Sequence, residues 1–133
     1  MSHSSVLATL AFRFAAHPEN LATEALLHAL ARSEAIRVAF TALIRSVAPH
    51  LPLEPLFFRS QESADDLSIP DLVGISRDGT TRLLVENKFW AGLTDAQPVG
   101  YLRRFGNANG VLIFLAPAKR LPTLWPELMD RCK

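Results

Sequence analysis

Apolar residues recur at helical spacing from about Leu21 to Val47. The pattern opens at Pro18-Glu19-Asn20 and closes at Pro49 and Pro52, because proline cannot continue a helix interior. A break falls near Arg32-Ser33. Leu53 to Arg59 predicts a first strand whose exposed start is marked by Pro55. The polar stretch Gln61 to Ser68, holding Glu62, Asp65 and Asp66, predicts a loop. Two β-prone runs follow, Ile69–Ser76 and Thr81–Lys88, then a helix from about Asp95 to Phe105. Asn107-Ala108-Asn109-Gly110 is a turn cluster, Val111 to Ala116 a short apolar strand, and Leu121 to Arg131 a last helix.

The two central strands are apolar on both faces, with Leu72, Leu83 and Val85 on one and Val73, Ile75 and Leu84 on the other. Such strands belong in a sheet covered on both sides. The order of elements therefore predicts an α/β fold, a mixed sheet flanked by helices on both faces. The strand after the Asp95–Phe105 helix is expected to join in parallel through a right-handed crossover. No internal repeat or linker interrupts the 133 residues, so one domain over 1–133 is expected.

Asp78-Gly79 between these runs is a strong hairpin signal. With those two residues at the centre of the turn, Arg77 pairs with Thr80 and Asp71 falls opposite Glu86, whereas a longer Arg77–Thr80 loop would keep the fold but shift the site. Directly opposed residues have Cβ atoms roughly 4.5–5.5 Å apart, where like charges destabilise a sheet. The repulsion needs compensation, for which a divalent cation is the simplest candidate, and Asp71→Asn is expected to relieve it. Alternation puts Lys88 on the face of Glu86. Two carboxylates at this separation suit Mg²⁺ or Mn²⁺, and a neighbouring lysine can stabilise charge on a phosphoryl oxygen. Asn87 points to the other face, but its backbone carbonyl is placed to join the metal shell.

Composition adds limits. With 49% hydrophobic and 20% charged residues the chain is an ordinary globular protein. No apolar run approaches the ~20 residues that span a bilayer. The stretch Val6 to Phe12 is short, lacks a basic leader and meets Arg13 at once, so it reads as a short element rather than a signal peptide. The single cysteine, Cys132, can neither staple the fold nor build a zinc site. A cytoplasmic protein with no membrane association is the resulting expectation. Net charge is +1, but unevenly spread: residues 1–76 carry 5 arginines against 8 acidic residues, and residues 77–133 carry 9 lysines or arginines against 5. A basic C-terminal half is compatible with a phosphate-bearing partner.

Pro70-Asp71, a hairpin, and Glu86-Asn87-Lys88 together resemble the PD-(D/E)xK nuclease superfamily, with its restriction-endonuclease-like αβββαβ core. The same order of elements spans about residues 20–116 here. The resemblance implies metal-dependent hydrolysis of a nucleic-acid phosphodiester, with DNA as the expected substrate. Asp71 and Glu86 would be the Mg²⁺ or Mn²⁺ ligands, and Lys88 would lie at the attacking water. Many members add an acidic residue from the first core helix, a position that Glu24 matches. A glutamate near a helix N-terminus is equally expected from the helix dipole. Gln97 and Tyr101 match the Gln-x-x-x-Tyr pattern of RecB-like members, and at i and i+4 they share a helix face. Thr94-Asp95-Ala96-Gln97 also reads as a capping box, which alone would account for Gln97.

Other groups carry less. Asp65 and Asp66 read as a solvated loop pair, and His3, His17, His28 and His50 have no ligand spacing. Arg77, Arg82, Arg103 and Arg104 read first as solvated surface charge, and Trp90 as a residue beside the site with base stacking as its second reading. The alternative to a nuclease is an inactive module of the same fold, binding DNA or a protein within a larger defence or repair assembly. A homodimer would suit cleavage of both strands of a duplex, though no dimer surface is legible.

Overall fold

The computed structural model describes residues 18–51, 55–60 and 70–133. The elements expected at residues 6–12 and 61–68, the start of the first strand at 53–54, and the beginning of the second at residue 69 lie outside them. Two consecutive helices come first, α1 (Pro18–Arg32) and α2 (Glu34–Val47). They divide at Ser33, whose hydroxyl caps α2 by accepting the Ile36 N–H at 3.3 Å. Strands β1 (Phe57–Ser60), β2 (Leu72–Ile75) and β3 (Thr81–Asn87) follow, then α3 (Val99–Arg103), β4 (Val111–Leu115), a 3₁₀ turn (Ala118–Arg120) and α4 (Leu121–Arg131).

The four strands form one mixed sheet in the order β1-β2-β3-β4. The first two pairings are antiparallel and the β3–β4 pairing is parallel, the crossover passing through α3. On one face Leu72, Leu83 and Val85 pack with Leu30 of α1 and Ile44 of α2. On the other, Val73 and Leu84 pack with Tyr101 of α3 and Leu112 of β4. Helix α4 lies over β4 on this second side, where Leu124 and Leu128 line a 270 Å³ cavity with Leu112 and Phe114. No described helix is long and apolar enough to cross a membrane.

Two elements differ from expectation. The hairpin turn is one residue longer than Asp78-Gly79 alone predicts. The Gly79 N–H bonds the Ser76 carbonyl at 2.9 Å, and Ser76 rather than Arg77 meets Thr80. Gly79 takes φ +84°, which glycine adopts without strain. The tight Ser76 hydroxyl bond to Asp78 (2.6 Å) and the Thr80 N–H to the same carboxylate oxygen (2.9 Å) favour this wider form. The one-residue slip is then undone by a bulge. Ile75 pairs with Thr81 but Gly74 pairs with Leu83, leaving Arg82 as the extra residue. Gly74 is required here, because a Cβ would lie 2.9 Å from that of Leu83. Beyond the bulge Val73 pairs with Leu84 and Leu72 with Val85, as the two-residue turn predicts.

The helix expected over Asp95–Phe105 is reduced to Val99–Arg103. Pro98 has no N–H to donate, so helical bonding begins only with Gly100 to Ala96 (2.7 Å) and Leu102 to Pro98 (3.0 Å). It closes through i→i+3 bonds from Arg104, Phe105 and Gly106, the last at φ +57°.

Candidate active site

Alternation along β3 sends Leu84 and Glu86 to the α3 side, and Lys88, just beyond the strand, continues that series. Glu86 is buried (6% exposed) and so is Lys88 (4%). The lysine Nζ lies 2.8 Å from Glu86 Oε1. Gln97 donates its amide N–H to the same oxygen at 2.8 Å and to the Tyr101 hydroxyl at 3.0 Å. Tyr101 in turn donates to Glu86 Oε2 at 3.3 Å. Burial pushes the Tyr101 phenol up, and the Glu86 and Asp71 carboxylates add to the rise against the lowering effect of Gln97. Tyr101 therefore remains a proton donor to Glu86 across the ordinary pH range.

Asp71 is half-buried and lies one position before β2, one step past the Leu72–Val85 pair. Continuing that ladder sets it against Glu86. Its Oδ2 accepts the Asn87 N–H at 2.6 Å, a short charge-assisted bond. The Asn87 side chain points the other way, its amide donating to Thr23 of α1. Since the N–H and C=O of one strand residue point to the same side, the Asn87 carbonyl is directed toward the edge that carries Asp71.

The structure thus brings Glu86, Lys88, Gln97 and Tyr101 into one bonded group, with Asp71 tied to the adjoining peptide. Glu24 is not drawn in. It is exposed on α1, which packs on the opposite face, and its neighbour Thr23 is the residue that reaches β3. The capping box expected at Thr94–Gln97 does not cap the helix, whose N-cap is Pro98 with no side-chain cap bond; the Gln97 Oε1 instead accepts the Thr94 N–H at 3.1 Å in the turn before it. The carbonyl end of Gln97 thus closes that turn while the amide end holds Glu86. His3, His17, Asp65 and Asp66 lie outside the described residues.

Two arginines absent from the sequence reading fix this group from behind. One Arg120 nitrogen bonds the carbonyls of Lys88 (2.7 Å) and Ala91 (2.8 Å). One Arg131 nitrogen bonds those of Thr94 (2.6 Å) and Gln97 (3.0 Å). Both partners are more than 25 residues away in sequence and are backbone atoms, so no local motif announces them.

For a divalent cation the donor set is small and entirely oxygen: the Asp71 and Glu86 carboxylates and the Asn87 carbonyl. No cluster of three or more Asp, Glu, His or Cys side chains occurs among the described residues. That set fits Mg²⁺ or Mn²⁺ binding, in which one or two carboxylates suffice and water and substrate oxygens complete the shell. It does not fit a nitrogen- and sulfur-liganded zinc site. Of the cavities, that between α2 and β1, lined by Leu30, Arg37, Thr41 and Phe58 among others, measures 720 Å³ and holds none of these groups. Volume and chemistry disagree here. The candidate site is accordingly marked by its buried charged groups and not by cavity volume. No protein-family profile, curated protein or solved structure matches this chain.

Proposed function

We propose that the chain is a PD-(D/E)xK-type nuclease, hydrolysing a nucleic-acid phosphodiester, DNA in the first instance, with Mg²⁺ or Mn²⁺. The carrying observation is the joint placement of Asp71, Glu86 and Lys88 at the end of the β2–β3 hairpin, with Gln97 and Tyr101 bonded to Glu86. The strand order, with three antiparallel-paired strands and a parallel fourth after a helix, supports a restriction-endonuclease-like core. The helical part departs from αβββαβ by its division at Ser33 into two helices.

In this reading Asp71, Glu86 and the Asn87 carbonyl hold the cation. When bound, it supplies an acidified water and neutralises charge on a phosphoryl oxygen. Gln97 and Tyr101 fix the Glu86 carboxylate so that it does not turn away. Lys88 has three ammonium donors. One is occupied by Glu86, and the lysine backbone is pinned by the Leu115 carbonyl (2.8 Å) and Arg120. Its ammonium can therefore meet a phosphoryl oxygen with little reorganisation.

A second reading is an inactive module of the same fold. Its support is the closure of the pair, whose Glu86 and Lys88 side chains are only 8% and 6% exposed. Incubation with circular, linear and single-stranded DNA, in Mg²⁺, Mn²⁺ or EDTA, decides between them. Metal-dependent cleavage that Asp71→Asn reduces at least a hundred-fold, about the effect of losing one strong transition-state contact, is the expected result. Absence of cleavage together with no calorimetric signal for either metal would leave the inactive module.

A further inference from the structure

We propose that the outer edge of β4 is a dimer interface, where two copies of the chain pair these strands antiparallel about a two-fold axis at Ile113. β4 is the last strand of the sheet, and among the described residues no strand lies beyond it. The Lys88 N–H bonds the Leu115 carbonyl at 2.8 Å, so Leu115 turns its backbone groups toward β3. The N–H and C=O of one strand residue share a side, and successive residues alternate. Val111 and Ile113 therefore also face β3, whereas Leu112 and Phe114 direct theirs outward. Those four outward groups bond no described residue. Natural edges are commonly blunted by charge, proline or a bulge. The opposite edge strand, β1, contains Arg59 and follows Pro55, but Val111–Leu115 is apolar throughout.

The register identifies a second copy as the occupant. An axis at Ile113 sets Leu112 against the second copy's Phe114 and Phe114 against its Leu112, so all four outward groups exchange bonds. The other opposed pairs, Ile113 with Ile113 and Val111 with Leu115, are apolar, and no like charges meet. Helix α4 adds to the same edge. Its Leu121, Trp125 and Met129, at i, i+4 and i+8, form one stripe exposed by 63%, 58% and 45%. Leu121 and Trp125 line the 270 Å³ cavity over Leu112 and Phe114, so the stripe adjoins the open strand. A lone strand from another protein would complete the sheet and leave this stripe uncovered. A second copy brings both a strand and an apolar helix face. Pairing needs neither metal nor nucleic acid, so it stands apart from the nuclease reading.

Sedimentation of the full chain in reducing buffer, over a concentration series, should show the mass rising from one chain toward two. Trp125→Glu, checked for native circular dichroism, should weaken association about ten-fold or more, as loss of a central aromatic anchor does. Disulfide trapping tests the register in a Cys132→Ser background, which removes the native thiol. At a non-bonded antiparallel pair the Cα atoms lie about 4.5 Å apart, within disulfide reach. Ile113→Cys should therefore link two chains on mild oxidation. Val111→Cys should not, because the two positions would lie roughly 13 Å apart along the strands. A mass of one chain at every concentration overturns the proposal and leaves the edge to a strand of another protein. Association that Trp125→Glu leaves unchanged, or that gives no link at Ile113→Cys or an equal one at Val111→Cys, also overturns it.

Discussion

Strand β3 presents two faces that are equally buried but differently held. Leu83 and Val85 are at most 1% exposed and meet Leu30, Ile44 and Leu72, all apolar. Leu84 begins the opposite face in the same way, but Glu86 and Lys88 continue it with a carboxylate and an ammonium. Up to Asn87, whose amide ends that face on Thr23, the first face is stabilised by area removed from water, an effect without direction, so Leu83 and Val85 tolerate substitutions that keep their volume. The second depends on partners at fixed distances, since a buried charge without them is strongly unfavourable. A sheet that could have been closed by leucines on both sides thus retains one polar end. That is where function is to be sought.

The sharpest way to break this comparison is to unpair the second face. Lys88→Met should leave Glu86 buried beside Gln97 and Tyr101 without its counter-charge, at a cost of about 3–5 kcal/mol in urea unfolding. The double variant Glu86→Leu/Lys88→Met should recover most of that loss while showing no cleavage. A cost under about 1 kcal/mol for Lys88→Met would mean that the ion pair is solvated, and the contrast between the faces would fall. On the apolar face Leu83→Ala should cost about 2–5 kcal/mol, through lost transfer energy and the cavity left behind. On the proposed nuclease reading, Leu83→Ala measured well below its lowered melting temperature should nevertheless retain kcat. A fall in kcat matching that of Asp71→Asn would show that the two faces do not act separately.

The difference between the faces also explains what the sequence made legible. Period-two alternation assigns the residues of β2, and those of β3 from Leu83 onward, to their faces, and the Leu72–Val85 and Val73–Leu84 pairs follow from the hairpin. The turn is one residue longer than Asp78-Gly79 alone predicts, and a longer loop by itself would shift the site; the bulge at Arg82 cancels the slip, a compensation that no local pattern announces. Repulsion between Asp71 and Glu86 was legible, but its relief was assigned to a cation alone. The structure adds the Lys88 ammonium, two donors from Gln97 and Tyr101, and the Asn87 N–H. Asp71→Asn accordingly loses much of its basis for raising stability. The supports from Arg120, Arg131 and Thr23 end on groups 29 to 64 residues away, two of them on backbone carbonyls. Sequence spacing carries no trace of contacts set by packing of separate elements.

Tyr101→Phe sharpens the comparison at smaller scale, because it removes one hydroxyl from the polar face and leaves the ring in the apolar cluster. Its bond to Glu86 is long, 3.3 Å, and Gln97 and Lys88 still hold the carboxylate. The hydroxyl also accepts a Gln97 N–H at 3.0 Å, so its loss removes two bonds and leaves that buried donor unpaired, at an expected cost of about 1–3 kcal/mol. A loss above about 3 kcal/mol would show that the ring rather than the hydroxyl organises the site.

The smallest effect is expected at the far end of the same hairpin, where no buried pair is involved. Bonds from the Ser76 hydroxyl first, and then from the Thr80 N–H, lower the Asp78 carboxyl from 3.8 to about 2. A group whose folded value is depressed favours the folded state while ionised. Its contribution is therefore complete above about pH 4 and is lost as the pH falls through about 2. The stability difference between wild type and Asp78→Asn, from urea unfolding at successive pH values, should be constant from pH 7 to 5 and shrink below 4. Because Asp78 is fully exposed, the change is confined to the turn, and Ile75–Thr81 pairing is the nearest ladder contact it can disturb. A difference that instead grows on acidification would mean that the turn is held by the protonated form, and the three-residue loop would need another cause. On the proposed nuclease reading, cleavage by Asp78→Asn at neutral pH should match wild type, since the Arg82 bulge separates the turn from the register that sets Asp71 against Glu86.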